Sequence, residues 1–369
     1  MSRVSHIESS SSLWQDILCN NVTCPNELCD ILQLSPSVVS TKAIAVQPLN
    51  VTRDFLSRIE TGNPDDPLLL QILPSHNELI DVPGFSHDPL EEMDDLGRVS
   101  PKNKNSVDSP HFFMEQNFAG QLPVLQKYPG RVLVLTMECC ATNCRFCFRR
   151  HFSNYTTNCQ VRVPRHSSLT NLASVFAQKT DETNNIREIV LSGGDPLMLD
   201  DTKFEGVFNY IRDSQSGNRV RLHTRLPVML PERVTPQLIK TLHDFRAETK
   251  NGPVYLVLHV NHARELSEKV IDAVAKIIDS GIPVLSQTVL LRRVNDDFET
   301  LFDLFEKLID YRIIPYYLHQ LDKIQGVSHF EVPMVKGAEL VAKLRAALPG
   351  YAVPRYVREI SGLSQKNFI

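Results

Sequence analysis

The sequence predicts an α/β fold: a parallel sheet of six strand–helix units curled into a partial, TIM-like (β/α)6 barrel behind a mainly helical N-terminal segment. Three observations predict it. Apolar runs recur at Val132–Thr136, Ile189–Ser192, Val220–Thr224, Val254–Val260, Val284–Leu290 and Ile313–Leu318. Amphipathic segments lie between them. Before Arg131 there is no such alternation.

Taken in order, Ser12 to Leu34 and Leu56 to Ile80 read as helices with intervening turns. The stretch from Asp88 to Pro110 is acidic, then polar, and holds Pro101 and Pro110, so it reads as a linker or surface loop. The organisation that follows is an N-terminal helical region and linker over residues 1–110 and a barrel over residues 111–369. Arg131-Val132-Leu133-Val134-Leu135-Thr136 is a strand buried on both faces. After the fourth run, Leu266, Val270, Val274 and Ile277 share one helical face, and Gly281 after Ser280 is a natural helix stop. There is ample material for a core, since 42% of the 369 residues are hydrophobic and 22% charged. A formal charge of -4 implies no broad attraction to nucleic acid. No run approaches a membrane span, and the polar, Ser-rich N-terminus has no signal-peptide core, so a cytoplasmic protein is expected. Eight cysteines fit a reducing compartment better than a disulfide framework.

Three of them form the most informative feature, Cys140-Ala141-Thr142-Asn143-Cys144-Arg145-Phe146-Cys147. This C-x3-C-x2-C array follows a strand and is one thiolate short of a closed tetrahedral site. Three cysteines can hold three corners of a cubane iron–sulfur cluster and leave the fourth iron open to a small molecule. A loop just past the C-terminal end of a barrel strand is where catalysis belongs in such folds. The plainer reading is structural zinc with His151 as fourth ligand, but zinc knuckles usually bring two pairs of ligands and no second pair follows. Cys139 would break the spacing and is read as a bystander. Cys19, Cys24, Cys29 and Cys159 are read as ordinary thiols.

The array resembles the signature of the radical S-adenosylmethionine superfamily. With Cys147-Phe148-Arg149-Arg150-His151-Phe152, Leu191-Ser192-Gly193-Gly194-Asp195-Pro196-Leu197 and Pro315-Tyr316-Tyr317-Leu318-His319-Gln320-Leu321-Asp322-Lys323, the chain resembles the lysine 2,3-aminomutase family from about Phe55 onward. Within it the chain looks most like the short branch that supplies β-lysine for modifying elongation factor P. The resemblance implies a partial radical SAM barrel, a 4Fe-4S cluster on Cys140, Cys144 and Cys147, and S-adenosyl-L-methionine on the open iron. Gly193, Gly194 and Asp195 would then approach its methionyl end, and Thr224, Arg225, His259 and Gln287 would line its site. Alone, Gly-Gly-Asp-Pro is more often just a turn, and the others satisfied polar groups at strand ends.

The family also implies pyridoxal 5'-phosphate, with Lys366 as its Schiff-base lysine and Tyr128 and Arg131 near the phosphate. The approach to Lys366, Leu363-Ser364-Gln365, lacks the family's Gly- or Pro-rich character, and so short a tail offers little to clamp the lysine. Arg149 would pair with a substrate carboxylate, and Asp322 and Glu359 with a distal ammonium, a socket matched to L-lysine. The implied reaction is migration of the α-amino group to Cβ, giving (R)-β-lysine, with a flavodoxin- or ferredoxin-like reductant and a functional link to elongation factor P and its lysine ligase. Two other readings stand beside it. One is a free-lysine aminomutase of catabolism or antibiotic synthesis, whose longer C-terminal region with extra cysteines has no counterpart after Cys159. The other is a non-catalytic zinc-binding protein.

Overall fold

The computed structural model describes residues 12–92, 124–128, 130–152, 186–213, 219–248 and 252–369. The sheet has nine strands in sequence order: β1 (Val124–Tyr128), β2 (Arg131–Met137), β3 (Glu188–Gly193), β4 (Arg219–Thr224), β5 (Val254–His259), β6 (Val284–Leu290), β7 (Ile314–Gln320), β8 (Arg355–Arg358) and β9 (Asn367–Phe368). Strands β2 to β8 are parallel, whereas β1 and β9 run antiparallel at the two edges. Each crossover returns to the next strand, so the sheet curls in one direction and stays open among the described residues.

The six predicted strands are all present, and three strands went unpredicted. The last of these changes the expectation for Lys366. The tail is clamped: β9 pairs with β8, and the Ile369 N–H donates to the Tyr356 carbonyl at 3.0 Å. The helix Glu268–Asp279 follows the predicted face, with Val270, Val274 and Ile277 buried, Ser267 as N-cap and Gly281 at φ +84° after it. Leu266 is buried just ahead of the helix.

The N-terminal region is helical as predicted, but in shorter pieces: Ser12–Cys19, Pro25–Leu32, Thr41–Val46, Arg53–Leu56 and Pro67–Leu70 are α-helical, and His76–Leu79 is a 3-10 turn. Gly62, Pro64, Pro67 and Pro74 break what the apolar residues alone suggested. Trp14, Leu28, Phe55 and Leu69 nevertheless belong to the same hydrophobic cluster as the barrel's Val220, Leu256 and Leu318. The proposed division at residues 110 and 111, most of the linker from Asp88 to Pro110, and Cys159 lie outside the described residues. Among the described residues no helix is long and apolar enough to cross a membrane.

Candidate active site

The parallel strands end on one side of the sheet. Lys366 precedes β9, which runs back, and so lies at that same end. Here one cavity of about 310 Å³ is lined by every residue singled out from the sequence. Cys140, Cys144, Cys147 and Arg149 come from the loop after β2, and Tyr128 and Arg131 from the β1–β2 hairpin. Gly193 ends β3 with Gly194 and Asp195 after it, Thr224 ends β4 with Arg225 after it, and His259 ends β5. Gln287 lies on β6, opposite His259 in register, and Asp322, Glu359 and Lys366 complete the far wall.

The cysteine loop is held largely by the N-terminal segment. The Asn143 N–H donates to Asn50 O (2.9 Å) and the Arg145 N–H to Gln71 O (2.9 Å). Asn21, Gln47 and Asn50 donate side-chain amides to the carbonyls of Ala141, Cys144 and Cys140. Arg145 and Arg150 are fully buried and share the Glu78 carboxylate; burial alone would raise that acid, but the two guanidiniums bring it below its ordinary value. Burial and then the neighbouring Cys144 push the Cys147 thiol up to about 11, so a thiolate there needs a metal to compensate its charge. Arg225 Nη1 donates to Cys144 Sγ at 2.8 Å. Three sulfurs facing a cavity, a compensating cation and a buried Thr142 hydroxyl without a partner among the described residues fit a cluster that keeps one corner open. The zinc alternative loses its fourth ligand. His151 Nε2 is engaged by the Gln325 carbonyl at 3.0 Å, and its ring stacks on His87. Among the described residues no group of three or more His, Cys, Asp and Glu side chains is gathered for a single metal ion.

The Gly-Gly-Asp turn serves the loop as well as the cavity. A Cβ on Gly193 would meet Met137 O at 2.5 Å, and one on Gly194 would meet Cys139 O at 2.0 Å, so the glycines let β3 close onto the cysteine loop. Asp195 is buried and its carboxylate already accepts from the Thr224 hydroxyl and the Leu197, Arg225 and Leu226 N–H groups. Four donors fill its lone pairs, which leaves backbone atoms of this turn as the acceptors for an incoming amine. Burial raises the acid despite these bonds.

At the other end, Lys366 Nζ pairs with Glu359 and lies 5.9 Å from the centroid of the Tyr317 ring. Arg131 is half exposed, 5.9 Å from the Tyr128 ring and 3.5 Å from Glu188. His223 adds a buried Nε2 without a partner among the described residues, and burial followed by the nearby Arg221 and Lys366 keeps its ring neutral. A lysine, an arginine and an unclaimed imidazole nitrogen on one cavity fit an aromatic cofactor that carries a phosphate. Arg149 is buried and paired with Glu92 at 2.9 Å, with Nη1 on the Gly193 carbonyl at 3.1 Å.

Three residues that line this cavity escaped the sequence reading: Glu92, His223 and His319 on β7. A signal existed for His223. On β4, Val220, Leu222 and Thr224 are buried while Arg221 and His223 are less so, and polar residues alternating through an otherwise apolar strand mark the face toward the cavity.

The Radical SAM superfamily model matches residues 134–305, from β2 into the helix Phe298–Asp310. The L-lysine 2,3-aminomutase of Escherichia coli strain K12 is 37% identical over 356 residues, covering 96% of this chain and 93% of that protein. The chain belongs to the lysine 2,3-aminomutase family. The family member of Haemophilus influenzae is 36% identical, over 96% of this chain and 94% of its own length. That of Clostridium subterminale is 31% identical over 95% of this chain, which corresponds to 76% of the clostridial protein.

Proposed function

We propose that the protein is a radical SAM isomerase that converts L-lysine to β-lysine by moving the α-amino group to Cβ. One observation carries this reading: the three cysteines and Lys366 open onto the same cavity, whose lining also holds Arg149, Asp322 and Glu359. The cluster with S-adenosylmethionine would supply a carbon radical, and pyridoxal phosphate the ring over which the unpaired electron spreads. The chain's own residues bind and orient. Arg149 addresses the substrate carboxylate, while Asp322 and Glu359 form the socket for the distal ammonium. Glu359 now pairs with Lys366 and turns to the substrate once that lysine is engaged. Leu90, Phe146, Phe148, Val289 and Leu321 give the cavity apolar walls that keep water from a reactive carbon centre.

The test is anaerobic turnover of L-lysine with iron–sulfide reconstitution, S-adenosylmethionine and pyridoxal phosphate. Product should be β-lysine, and Lys366→Ala should abolish turnover at unchanged iron content. Borohydride should fix the cofactor's mass on the peptide containing Lys366. Full activity of Lys366→Ala would defeat the assignment.

The same proposal places the product in modification of elongation factor P by a lysine ligase, in the cytoplasm, with a flavodoxin- or ferredoxin-like reductant. Deleting the gene should lower the mass of elongation factor P by one lysyl group. An unchanged mass, with free lysine still turned over by the enzyme, would favour a role in free metabolism.

A further inference from the structure

Behind the cysteine loop lies a buried polar network that the binding of lysine and pyridoxal phosphate does not use. Arg225 is at its centre. Its Nη1 donates to Cys144 Sγ at 2.8 Å, and its Nη2 donates to Gln71 Oε1 at 2.6 Å and to Glu265 Oε2 at 3.0 Å. Gln71 in turn donates to Glu265 Oε1 (2.9 Å) and accepts from Asn261 Nδ2 (3.0 Å). The Asn261 N–H donates to Glu265 Oε1 (3.2 Å), and Asn261 Oδ1 accepts from the Val289 N–H and meets His259 Nε2 (3.1 Å). Gln71, Asn261 and Glu265 have no exposed surface, and Arg225 is 7% exposed.

An ion pair so deep is a costly device for stability alone, because desolvation of two charges offsets much of their attraction. This one also ends on a cysteine of the array, since the guanidinium donates to Cys144 Sγ. Reduction potentials of iron–sulfur clusters respond to net charge nearby and to hydrogen bonds on the ligand sulfurs. Adding one electron to a cluster with three thiolates makes an anionic group more anionic. A cation fixed on one sulfur favours the reduced form, and the carboxylate behind it moderates that effect.

We propose that Arg225, aimed by Glu265 and Gln71, sets the reduction potential of the cluster through Cys144, with Glu265 as the positioning residue and counter-charge. The inference rests on the iron–sulfur reading above. The network also links the sulfur to His259, whose ring lies 5.6 Å from that of Phe146 in the cysteine loop.

The experiment is a redox titration of the anaerobically reconstituted protein, without S-adenosylmethionine, followed by electron paramagnetic resonance of the reduced cluster and paired with iron and sulfide analysis. Arg225→Gln should make the cluster harder to reduce by about tenfold in the equilibrium, ~59 mV for a one-electron couple. Glu265→Gln keeps an acceptor for Nη2 but removes the negative charge, and should shift the midpoint the opposite way. Opposite shifts at full iron content establish the role. An unmoved midpoint in Glu265→Gln, or shifts of the same sign in both variants, overturns it, and the Glu265 variant alone decides if Arg225→Gln fails to hold iron. A parent protein that takes up no iron–sulfur cluster would instead defeat the cluster reading itself.

Discussion

The Gly194 N–H donates to Met137 O at 2.7 Å, and the next N–H, from Asp195, reaches Cys139 O at 3.0 Å. A methyl group at Gly194 would stand 2.0 Å from that same Cys139 oxygen, a backbone atom that cannot rotate aside. Gly194→Ala should therefore cost about 1–3 kcal/mol of overpacking, and should lower iron retention because the strain falls on the cysteine loop. Melting temperature and iron content of this variant, set against Gly350→Ala, check it, since a Cβ at Gly350 meets nothing within 4 Å. Equal behaviour of the two would remove Gly194 from the account. At this scale the sequence reading reached the three cysteines by their spacing and Lys366 by resemblance, and the structure brings all four to one cavity. The sequence was silent where a partner is distant. Gln71 bonds Glu265, 194 residues away, and Glu92 bonds Arg149 across 57 residues. No local pattern marks a polar residue whose reason for being buried lies that far along the chain.

The helix Met334–Ala347 crosses β8 at Gly337, where an added Cβ would lie 2.1 Å from the Tyr356 hydroxyl oxygen. Tyr356 is buried, its hydroxyl donating to Gln320 Oε1. Replacing a helical glycine with alanine ordinarily gains about 1 kcal/mol. Here overpacking of about 1–3 kcal/mol and a strained buried hydrogen bond of about 1 kcal/mol outweigh the gain. Gly337→Ala should lower the urea midpoint, and a rise would show that the helix can shift outward freely. Legibility of the elements follows burial. β2, β3 and β5 announce themselves as apolar runs, and β4, β6 and β7 as apolar residues interleaved with polar ones that line the cavity. β8 is Arg355-Tyr356-Val357-Arg358, with charged ends, and β9 is two residues; each exists because a neighbour offers its edge, which local composition does not reveal. The N-terminal helices are shorter than the apolar residues suggested, since those residues serve a shared core without forming continuous helices.

Across the whole molecule, burial keeps several imidazoles neutral. It brings His319 down to about 3, aided by Lys366, and His151 and His329 down to about 4. An unfolded chain binds protons at these histidines near pH 6.5 while the native fold refuses them, so their contribution to stability is complete above that pH. It is lost as pH falls from about 6.5 toward 4, by about 1.4 kcal/mol per pH unit for each proton withheld. Urea midpoints at pH 7, 6 and 5 should decline, and His319→Gln should flatten the decline. A slope as steep as the parent's would exclude His319 as a contributor. The way the cysteine loop is held has its own consequence. Glu78 meets Arg145 and Arg150 side chain to side chain, so the stretches around residue 78 and residues 140–150 write a single surface in two distant passages of the gene. Neither passage can drift alone: among relatives, a change at one member of such a pair should be inherited together with a matching change at the other.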